Sequence, residues 1–362
     1  MTDQRRQLLP AFALAVVVSS PALAQWVTPA VAAPRVEYRT FQSDAAGTAV
    51  SYHIYTPPAY DANPLRRFPV LYWLHGAGSP TGGIASVSGW FDGAIAAGLI
   101  PPMLVVFPNG MSYGMWCNSK DGTVPMETVV IGDLIPEIDA NFRTIGERAG
   151  RIVEGFSMGG YGAARLGFRH HDLFAGVSML GAGPMQSDFL DEPPGTNFPL
   201  QLRLQIYENV WGSDPAYYLT EHPLTIVQHH AASIIMSGQV IRQAVGQLDA
   251  MLGPNAAFHA LLVDFGVPHE YTTPAGVGHS TLPLMTALGE QNWEFYRAVL
   301  SSPCPGDING DGFVNLDDFI ILAGNFGSGP GMTPQQGDLN GDGFVNLDDF
   351  IILAGNFGND CN

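Results

Sequence analysis

The segment GFSMG at 155–159 is the part of this sequence with the clearest potential for chemistry. It stands between a segment typical of a strand, RIVE at 151–154, and a stretch typical of a helix. In that context the pattern G-x-S-x-G holds its serine on a strained bend that exposes the hydroxyl group. A glycine-rich turn that needs small residues for packing is the alternative. The strand and helix on either side favour a nucleophilic Ser157, which would attack a carbonyl carbon.

A serine hydroxyl is a weak nucleophile and needs a base within hydrogen-bond reach. In known bends of this kind, an acid and then a histidine follow the serine along the chain. His279 is the candidate base, because it lies in a glycine-rich loop between a predicted strand and the last predicted helix. That loop leaves the carboxyl end of its strand, at the sheet edge where the serine bend also lies. Histidines on or next to predicted helices are interpreted as surface or packing residues: His170, His171 and His259.

A third group must orient the imidazole ring and stabilise its positive charge. Asp249 lies in the loop that follows the predicted strand 240–245, one strand before that of His279. Asp214 is the main alternative, but it lies in a segment without a strand to position it. Asp264 falls near the end of a predicted helix. We therefore predict that Asp249 completes the triad.

Attack on a carbonyl group develops an oxyanion, which two preorganised N–H donors must stabilise. One donor is expected to be the backbone N–H of Met158, the residue after the nucleophile. The other should come from the loop HGAG at 75–78, where glycine lets the backbone approach a substrate. We predict the N–H of Ala77 for this role, and hydrogen bonding within the loop for His75.

The rest of the first 300 residues alternates short strands with helices. Apolar runs such as 68–74 are typical of strands covered on both faces. Residues 183–235 interrupt the alternation and are interpreted as an insertion over one end of the sheet. The pattern predicts the α/β class, with a mostly parallel sheet flanked by helices. The predicted strands are 36–43, 49–55, 68–74, 103–107, 151–154, 174–180, 240–245 and 269–273, and the predicted helices are 128–142 (with Pro136 as an irregularity), 158–168, 255–265 and 282–300.

The first 24 residues have the pattern of an export signal. Arg5 and Arg6 precede a largely apolar stretch, 8–18, and the small-residue sequence ALA at 22–24 is typical of a cleavage site. The apolar stretch is too short to cross a bilayer, and no other uninterrupted stretch is long enough. We expect residues 1–24 to be a signal peptide, the mature protein to be secreted, and the α/β unit to cover 25–302.

Residues 303–362 are expected to form a separate acidic unit. They contain nine Asp and no Lys, Arg or Glu, and so carry half of the net charge of −18. That balance argues against nucleic acid as a partner, since phosphate binding needs basic residues. Within the unit, 306–327 recurs as 337–358 with one difference, Ile308 against Leu339.

Each repeat contains D-x-N-x-D-G-x5-D, a spacing of oxygen ligands that suits calcium and predicts two bound ions. The expected ligands of the first loop are Asp307, Asn309, Asp311, Phe313 (through its carbonyl), Asn315 and Asp318, and those of the second are Asp338, Asn340, Asp342, Phe344, Asn346 and Asp349. If the chain is exported, a disulfide between Cys304 and Cys361 would tie the ends of the unit together. Cys117 is then unpaired and is interpreted as a partly buried thiol.

Four longer segments resemble the esterase D-like branch of the α/β-hydrolases, over about residues 35–300. They are FPVLYWLHGAG, GDLIPEIDANFRT, RIVEGFSMGGYGAARLGFRHHDLFAG and VGQLDAMLGPNAAFHALLVDFGVPHEYTTPAGVGHS. That branch includes the family-1 carbohydrate esterases (feruloyl and acetyl xylan esterases), S-formylglutathione hydrolases and mycolyltransferases. The resemblance implies the α/β-hydrolase fold, the triad and oxyanion donors named above, and a serine carboxylesterase without a cofactor for catalysis. The residues on either side of Asp249 depart from the family pattern and leave the substrate open.

The two calcium loops, each followed by an apolar helix, resemble a type I dockerin over 304–361. The resemblance implies a small all-α domain that binds a cohesin on a scaffold protein. The stretch AGNFG lacks the basic residues that dockerins often carry there, so a calcium-stabilised module without a partner is the alternative.

A dockerin-like unit favours plant cell-wall polysaccharide as the substrate, with feruloyl or acetyl groups as the esters. Four aromatic residues are candidates for an acyl pocket, although core packing is the commoner role for each: Trp116, Trp211, Tyr217 and Tyr218. An acyltransferase that uses a sugar hydroxyl in place of water is a competing function. A non-catalytic carbohydrate-binding or scaffold protein is another.

Overall fold

The computed structural model describes residues 25–64, 66–300, 305–309, 313–340 and 342–359. The expected signal peptide, residues 1–24, lies outside the described residues. So do Asp311 and the expected disulfide between Cys304 and Cys361. Cys117 is described, and its thiol is free and buried.

One sheet of eight strands organises the larger part of the chain. The strands are β1 (Val36–Ser43), β2 (Thr48–Tyr55), β3 (Val70–Leu74), β4 (Leu104–Pro108), β5 (Arg151–Phe156), β6 (Gly176–Leu180), β7 (Val240–Ala244) and β8 (Glu270–Thr272). They lie in the order β1-β2-β4-β3-β5-β6-β7-β8. The pairs β1–β2 and β2–β4 are antiparallel, and all other neighbouring pairs are parallel. This mostly parallel sheet confirms the predicted α/β class.

Helices connect the strands and cover both faces of the sheet. They are α1 (Pro58–Ala62), α2 (Ile84–Ala96), α3 (Met126–Thr128), α4 (Ile135–Asn141), α5 (Met158–Arg169), α6 (Leu200–Trp211), α7 (Pro215–Glu221), α8 (Pro223–Ser237), α9 (Leu252–Asp264), α10 (Thr281–Leu288), α11 (Glu290–Leu300), α12 (Leu316–Asn325) and α13 (Leu347–Asn356). Single 3-10 turns lie at Arg148–Gly150 and Pro334–Gln336. None of the helices in the described ranges has the length and apolar character needed to cross a bilayer.

Two predicted helices differ from the structure. The helix predicted over 128–142 consists of α3, a π-helical turn at Val129–Leu134, and α4. Pro136 follows that turn; its ring would clash with the carbonyl group four residues earlier in a regular helix, and the wider turn accommodates it. The prediction of a single helix over 282–300 is wrong. Gly289 separates α10 from α11, because its φ of 56° and ψ of −127° cannot occur inside a helix.

Two hydrophobic cores lie on opposite faces of the sheet, and β3 contributes to both. Val70, Tyr72 and Leu74 belong to one core, whereas Leu71 and Trp73 belong to the other. All five side chains are buried, as a central parallel strand requires. The first core also contains residues of α5, α8 and α9, and the second contains residues of α2, α10 and α11.

The insertion predicted over 183–235 is helical in its second half. It runs from the carboxyl end of β6 through an irregular segment into α6, α7 and α8. α8 packs against α5 and α9 and so returns to the face of the sheet. The irregular segment before α6 and the first turn of α6 reach the cavity at the carboxyl edge of the strands.

α12 and α13 belong to a smaller unit with a core of its own. Among the described residues, the buried apolar side chains of this core come from both repeats and are Ile308, Val314, Leu322, Val345 and Leu353. The two helices begin with the same capping box, in which Asn315 or Asn346 is the cap. Asp318 or Asp349, at the third helical position, accepts the backbone N–H of that cap. Each cap satisfies N–H groups that a helix start leaves without partners.

Candidate active site

Ser157 alone makes the turn between β5 and α5. Its φ of 59° and ψ of −120° lie in a region that non-glycine residues rarely adopt, at a cost of about 1–3 kcal/mol. The crossing of strand and helix is tight, since a Cβ atom on Gly159 would lie 1.8 Å from the carbonyl oxygen of Leu74. Glycine at 159 therefore lets the helix start directly against the sheet, and the strained serine stands at the carboxyl edge of the strands.

The loops after β7 and β8 bring Asp249 and His279 to this serine. The Oγ atom of Ser157 lies 2.9 Å from Nε2 of His279, and Nδ1 of His279 lies 2.8 Å from Oδ2 of Asp249. A carboxylate only accepts hydrogen bonds, so Nδ1 carries the proton and Nε2 is free to accept one from the serine. The structure thus places the three predicted residues in one hydrogen-bond chain.

The two ends of this chain differ in their exposure to solvent. The side chain of Asp249 is 1% exposed, and that of His279 is 39% exposed. The second oxygen of Asp249 accepts the N–H of Met251 at 2.8 Å, which fixes the carboxylate. The ring of Phe156 packs against the imidazole, with 4.6 Å between the ring centroids. A shielded carboxylate interacts strongly with an imidazolium because little water screens the pair.

Asp214, the alternative acid, lies elsewhere. Its Oδ1 atom caps α7 by accepting the N–H groups of Ala216 and Tyr217, and its Oδ2 atom lies 2.5 Å from Nζ of Lys120. Both carboxylate oxygens are therefore used in contacts away from His279.

Ala77 and Met158 line the same cavity as Ser157 and His279. Within the described part of the chain, neither backbone N–H donates a hydrogen bond to another residue. Both groups are thus free to bind an oxygen atom of a substrate. An oxyanion hole needs donors of this kind that are in place before the reaction.

His75 stabilises the loop that carries Ala77. Its Nδ1 atom donates to the carbonyl oxygen of Gly76 at 2.8 Å, and its Nε2 atom accepts the N–H of Gly110 at 3.0 Å. Burial lowers the pKa of His75 to about 4, so the ring is neutral at physiological pH, as this pair of hydrogen bonds requires. His75 is thus a fixed part of the loop and does not face Ser157.

A cavity of about 390 Å³ opens beside Ser157. Most of its wall comes from the irregular segment before α6 and from the loop after Asp249. The apolar lining includes Met115, Pro184, Phe189, Phe198 and Met251. A mainly apolar cavity next to a nucleophile suits the acyl part of an ester.

One arginine of α6 anchors part of that segment, which we call the pocket wall (residues 190–198). Arg203 donates to the carbonyl oxygens of Leu190 and Phe198, at 2.6 and 3.2 Å, and to the carboxylate of Glu192 at 2.9 Å. The other oxygen of Glu192 accepts the N–H of Phe198 at 3.0 Å. These contacts give an irregular stretch of chain a fixed shape.

The four aromatic candidates for an acyl pocket are not among the residues that line the cavity. Trp116, Trp211 and Tyr218 are buried in the core, and Tyr217 is partly buried and packs against it. The sequence analysis missed Phe189, Phe198 and Met251. The available signal was their position: all three follow the carboxyl end of a parallel strand, the edge at which α/β proteins bind ligands.

Oxygen donors dominate the loops of the smaller unit. The carboxylates of Asp338, Asp342 and Asp349 accept backbone N–H groups of their own loop, and Asp318 does the same in the first loop. No Lys, Arg or His occurs in 303–362 to balance these charges. The donor set therefore fits a hard cation such as calcium. Within the described residues, no group of three or more His, Cys, Asp or Glu is arranged as a metal cluster.

Comparison with curated proteins finds relatives of the larger unit. An esterase of Mycobacterium tuberculosis is 36% identical over 161 residues, which are 43% of this chain and 34% of that protein. An endo-1,4-beta-xylanase/feruloyl esterase of Xylanibacter ruminicola is 30% identical over 177 residues, 45% of this chain and 24% of that protein. The chain thus spans about a third or less of the length of these relatives.

Solved structures share the fold. A ferulic acid esterase aligns with a TM-score of 0.57 and 22% identity over 73% of this chain and 95% of its own. An S-formylglutathione hydrolase from Agrobacterium tumefaciens aligns with a TM-score of 0.56 and 16% identity over 73% of this chain and 94% of its own. Residues 43–300 match the family described as putative esterase, and residues 305–357 match the dockerin type I domain. The chain therefore belongs to this esterase family and carries a type I dockerin domain after the α/β-hydrolase fold.

Proposed function

We propose that this protein is a secreted serine carboxylesterase that hydrolyses its substrate through an acyl-enzyme. The observation that carries the proposal is the hydrogen-bond chain from the hydroxyl group of Ser157 through His279 to the shielded Asp249. A strained serine, an accessible imidazole and a fixed carboxylate are the groups that acyl transfer needs. Membership of the esterase family supports the same activity.

In the first half of the reaction, Oγ of Ser157 attacks the ester carbonyl carbon while Nε2 of His279 takes the hydroxyl proton. The electron pair of the carbonyl double bond moves to its oxygen, which the N–H groups of Ala77 and Met158 stabilise. Asp249 stabilises the imidazolium and does not take the proton. The carbonyl bond then re-forms and expels the alcohol, which leaves with the proton from His279.

The second half repeats these steps with water. His279 takes a proton from a water molecule as the water oxygen attacks the acyl carbon on Ser157. The same two N–H groups stabilise the second oxyanion. When that intermediate collapses, Oγ of Ser157 leaves and regains its proton from His279, and the carboxylic acid is released.

We propose feruloyl or acetyl esters of plant cell-wall polysaccharide as the substrates. The cavity has room for an aromatic acyl group, and Phe189 and Phe198 provide aromatic surface beside Ser157. A curated relative is named as a xylanase/feruloyl esterase, and a structural neighbour as a ferulic acid esterase. A polysaccharide substrate is also consistent with a dockerin domain in the same chain.

The dockerin domain supports the proposal of an extracellular location and a protein partner. We propose that residues 1–24 direct export, that two calcium ions occupy the loops of the domain, and that the domain binds a cohesin on a scaffold protein. Asp307, Asp318, Asp338 and Asp349 would hold the ions through their carboxylates. In a unit with so small a core, calcium would supply much of the stability.

The test uses three esters: methyl ferulate, acetylated xylan and p-nitrophenyl acetate. We expect the purified protein to hydrolyse them, and Ser157→Ala to lower kcat at least about 10⁴-fold. Ser86→Ala, which removes an exposed hydroxyl group on α2, is the control and should keep wild-type activity. Product analysis with and without added sugar distinguishes hydrolysis from acyl transfer. A wild-type protein inactive on all three esters would favour the non-catalytic alternative.

A further inference from the structure

A segment with an unusual backbone lies behind the loop of Ala77. Met115 and Trp116 have φ values of 50° and 51°, in the left-handed region that costs a residue with a side chain about 1–2 kcal/mol. Two such residues in succession persist only where their surroundings hold them in place. Part of that support is packing: a Cβ atom on Gly110 or Gly162 would lie 2.5 or 2.4 Å from the side chain of Trp116.

Trp116 contacts the loop of Ala77 directly. Its indole Nε1 atom donates to the carbonyl oxygen of His75 at 3.4 Å, and the two rings lie 5.0 Å apart, edge to face. His75 in turn binds the carbonyl group of Gly76, the residue just before Ala77, at 2.8 Å. The indole ring therefore contacts both the carbonyl group and the ring of His75, two residues before Ala77.

Arg165 holds Trp116 from the other side. Its side chain is fully buried on α5, and its Nη1 atom donates to the carbonyl oxygen of Trp116 at 2.9 Å. Its Nη2 atom pairs with the carboxylates of Glu127 and Glu221. These two carboxylates balance the charge of Arg165. The hydrogen bond to the carbonyl oxygen of Trp116 is not needed for that balance and therefore calls for another explanation.

α5 connects the two proposed oxyanion donors. The first residue of this helix is Met158, which supplies one N–H group, and Arg165 lies two turns further along. The other N–H group, of Ala77, is linked to the same helix through His75, Trp116 and Arg165. Both donors are thus tied to one rigid element.

We propose that Arg165 is a positioning residue for the oxyanion hole: through Trp116 it sets the distance between the N–H groups of Ala77 and Met158. This inference rests on the proposed esterase function. Arg165 itself touches neither the nucleophile nor the substrate cavity. Arg165 would therefore help to stabilise the transition state, in which the two donors bind the developing oxyanion. It would have little effect on the affinity for the ground-state ester.

Arg165→Lys is the first test. Lysine keeps a positive charge for Glu127 and Glu221 but lacks the planar fork that also reaches the carbonyl group of Trp116. We expect kcat for p-nitrophenyl acetate to fall about tenfold, less than the loss for a deleted oxyanion donor, because the donor is displaced and not removed. KM should change less than about twofold. Binding of a trifluoromethyl ketone, whose adduct with Ser157 carries an oxyanion, should weaken by about the same factor as kcat.

Arg169→Lys is the matched control. Arg169 contacts the same two carboxylates as Arg165, at 3.2 and 2.9 Å, but among the described hydrogen bonds it has none to residues 115–117. We expect it to leave kcat and ketone binding unchanged. Trp116→Phe is the second variant, since it removes the indole N–H but keeps an aromatic ring; it should lower kcat and ketone affinity together even if Arg165→Lys fails to fold.

Two outcomes would overturn the inference. One is a folded Arg165→Lys or Trp116→Phe protein with wild-type kcat and ketone affinity. The other is an Arg169→Lys protein that loses as much activity as Arg165→Lys, because the cluster would then act through the stability of the fold alone. An inactive wild-type protein is a separate result, which would contradict the esterase function itself.

Discussion

At the scale of the residue, two imidazole groups near the nucleophile are set up for opposite tasks. His279 is partly exposed and has Ser157 on one nitrogen and Asp249 on the other, which is the arrangement that the proposed reaction needs. His75 is buried, and burial lowers its pKa to about 4. Both of its nitrogens are used in hydrogen bonds to the backbone. The surroundings of the two rings therefore determine their different roles: His279 is the proposed proton carrier, and His75 stabilises a loop.

Replacement of the acid tests the assignment of the triad. We expect Asp249→Asn to lower kcat by about 10⁴-fold, because an amide in place of the carboxylate favours the wrong imidazole tautomer and does not stabilise the imidazolium. Hydrolysis of p-nitrophenyl acetate measures the effect. Asp214→Asn is the matched control: asparagine also caps helices, and Asp214 lies away from His279. Equal losses in the two variants would contradict the choice of Asp249.

Backbone strain at Ser157 predicts a gain in stability when the nucleophile is replaced by glycine. Gly289, with a φ of 56° and a ψ of −127°, adopts nearly the same angles as Ser157. We expect Ser157→Gly to be inactive but more stable than Ser157→Ala, which keeps a Cβ atom, by about 1–2 kcal/mol in urea unfolding. At Ser86 in α2, the same pair should show the opposite order, because glycine disfavours a helix. Equal stability of the two Ser157 variants would mean that the bend is not strained.

At the scale of the element, the strands of the sheet were the most predictable part of the fold. β1, β3 and β5 all fall within or close to the predicted ranges, and β3 is a short apolar run flanked by loop residues. α2 was missed because exposed Gly89 and Gly93 weaken its helix propensity, so packing of Ile84, Val87 and Phe91 on the sheet stabilises it instead.

In the candidate site, too, some residues could be predicted from the sequence and others could not. Ser157, Asp249 and His279 were predictable because each follows a strand with a recognisable pattern. The pocket wall was not predictable, since its shape depends on side-chain contacts of Arg203 with Leu190 and Glu192, which leave no periodic pattern in the sequence.

A buried ionic contact between three elements predicts a pH dependence of stability. The carboxyl group of Glu154 on β5 accepts a hydrogen bond from Tyr296 on α11 at 2.8 Å and lies 3.4 Å from Arg242 on β7. Burial raises the pKa of Glu154 from 4.5 to about 7, although Arg242 and Tyr296 lower it in part. The folded protein thus binds this proton more tightly than the unfolded chain does. Protonation of Glu154 therefore contributes fully to the free energy of unfolding below about pH 4.5. This contribution is lost as the pH rises to about 7.

We therefore expect Glu154→Gln, which stays neutral, to match the wild-type free energy of unfolding near pH 4 and to exceed it at pH 8. Urea unfolding at the two pH values measures the difference. Glu290→Gln alters a mostly exposed pair with Arg297 and should show no such change between the two pH values. A Glu154→Gln protein that is less stable than wild type at pH 8 alone would mean that the ionised pair with Arg242 stabilises the fold.

At the scale of the whole molecule, two units with separate cores carry very different charge. Residues 303–362 hold nine of the acidic residues and no basic one, and their core consists of five small or medium apolar side chains. Repulsion among the carboxylates and a small core both oppose folding without a cation. The α/β unit has two large cores and proposed catalytic groups that need no metal.

Removal of calcium should therefore separate the two units functionally. We expect EDTA to unfold residues 304–361, seen as a loss of helical circular dichroism and of resistance to protease, and to leave hydrolysis of p-nitrophenyl acetate unchanged. Added calcium should restore the fold, and magnesium, which prefers a smaller octahedral site, should do so less well. Loss of esterase activity in EDTA would show that the two units are coupled.

The anchoring of the pocket wall bears on how acyl preference can be altered. Its three described anchors converge on Arg203 of α6, and among those bonds none involves Ser157, Asp249 or His279. Leu190 and Phe198 also pack against the core, so an exchanged segment of equal length should keep these two apolar residues and Glu192. We therefore expect that residues 190–198 can be varied to change acyl preference while Ser157, Asp249 and His279 stay in place, and a library of segments grafted at 190–198 would test this.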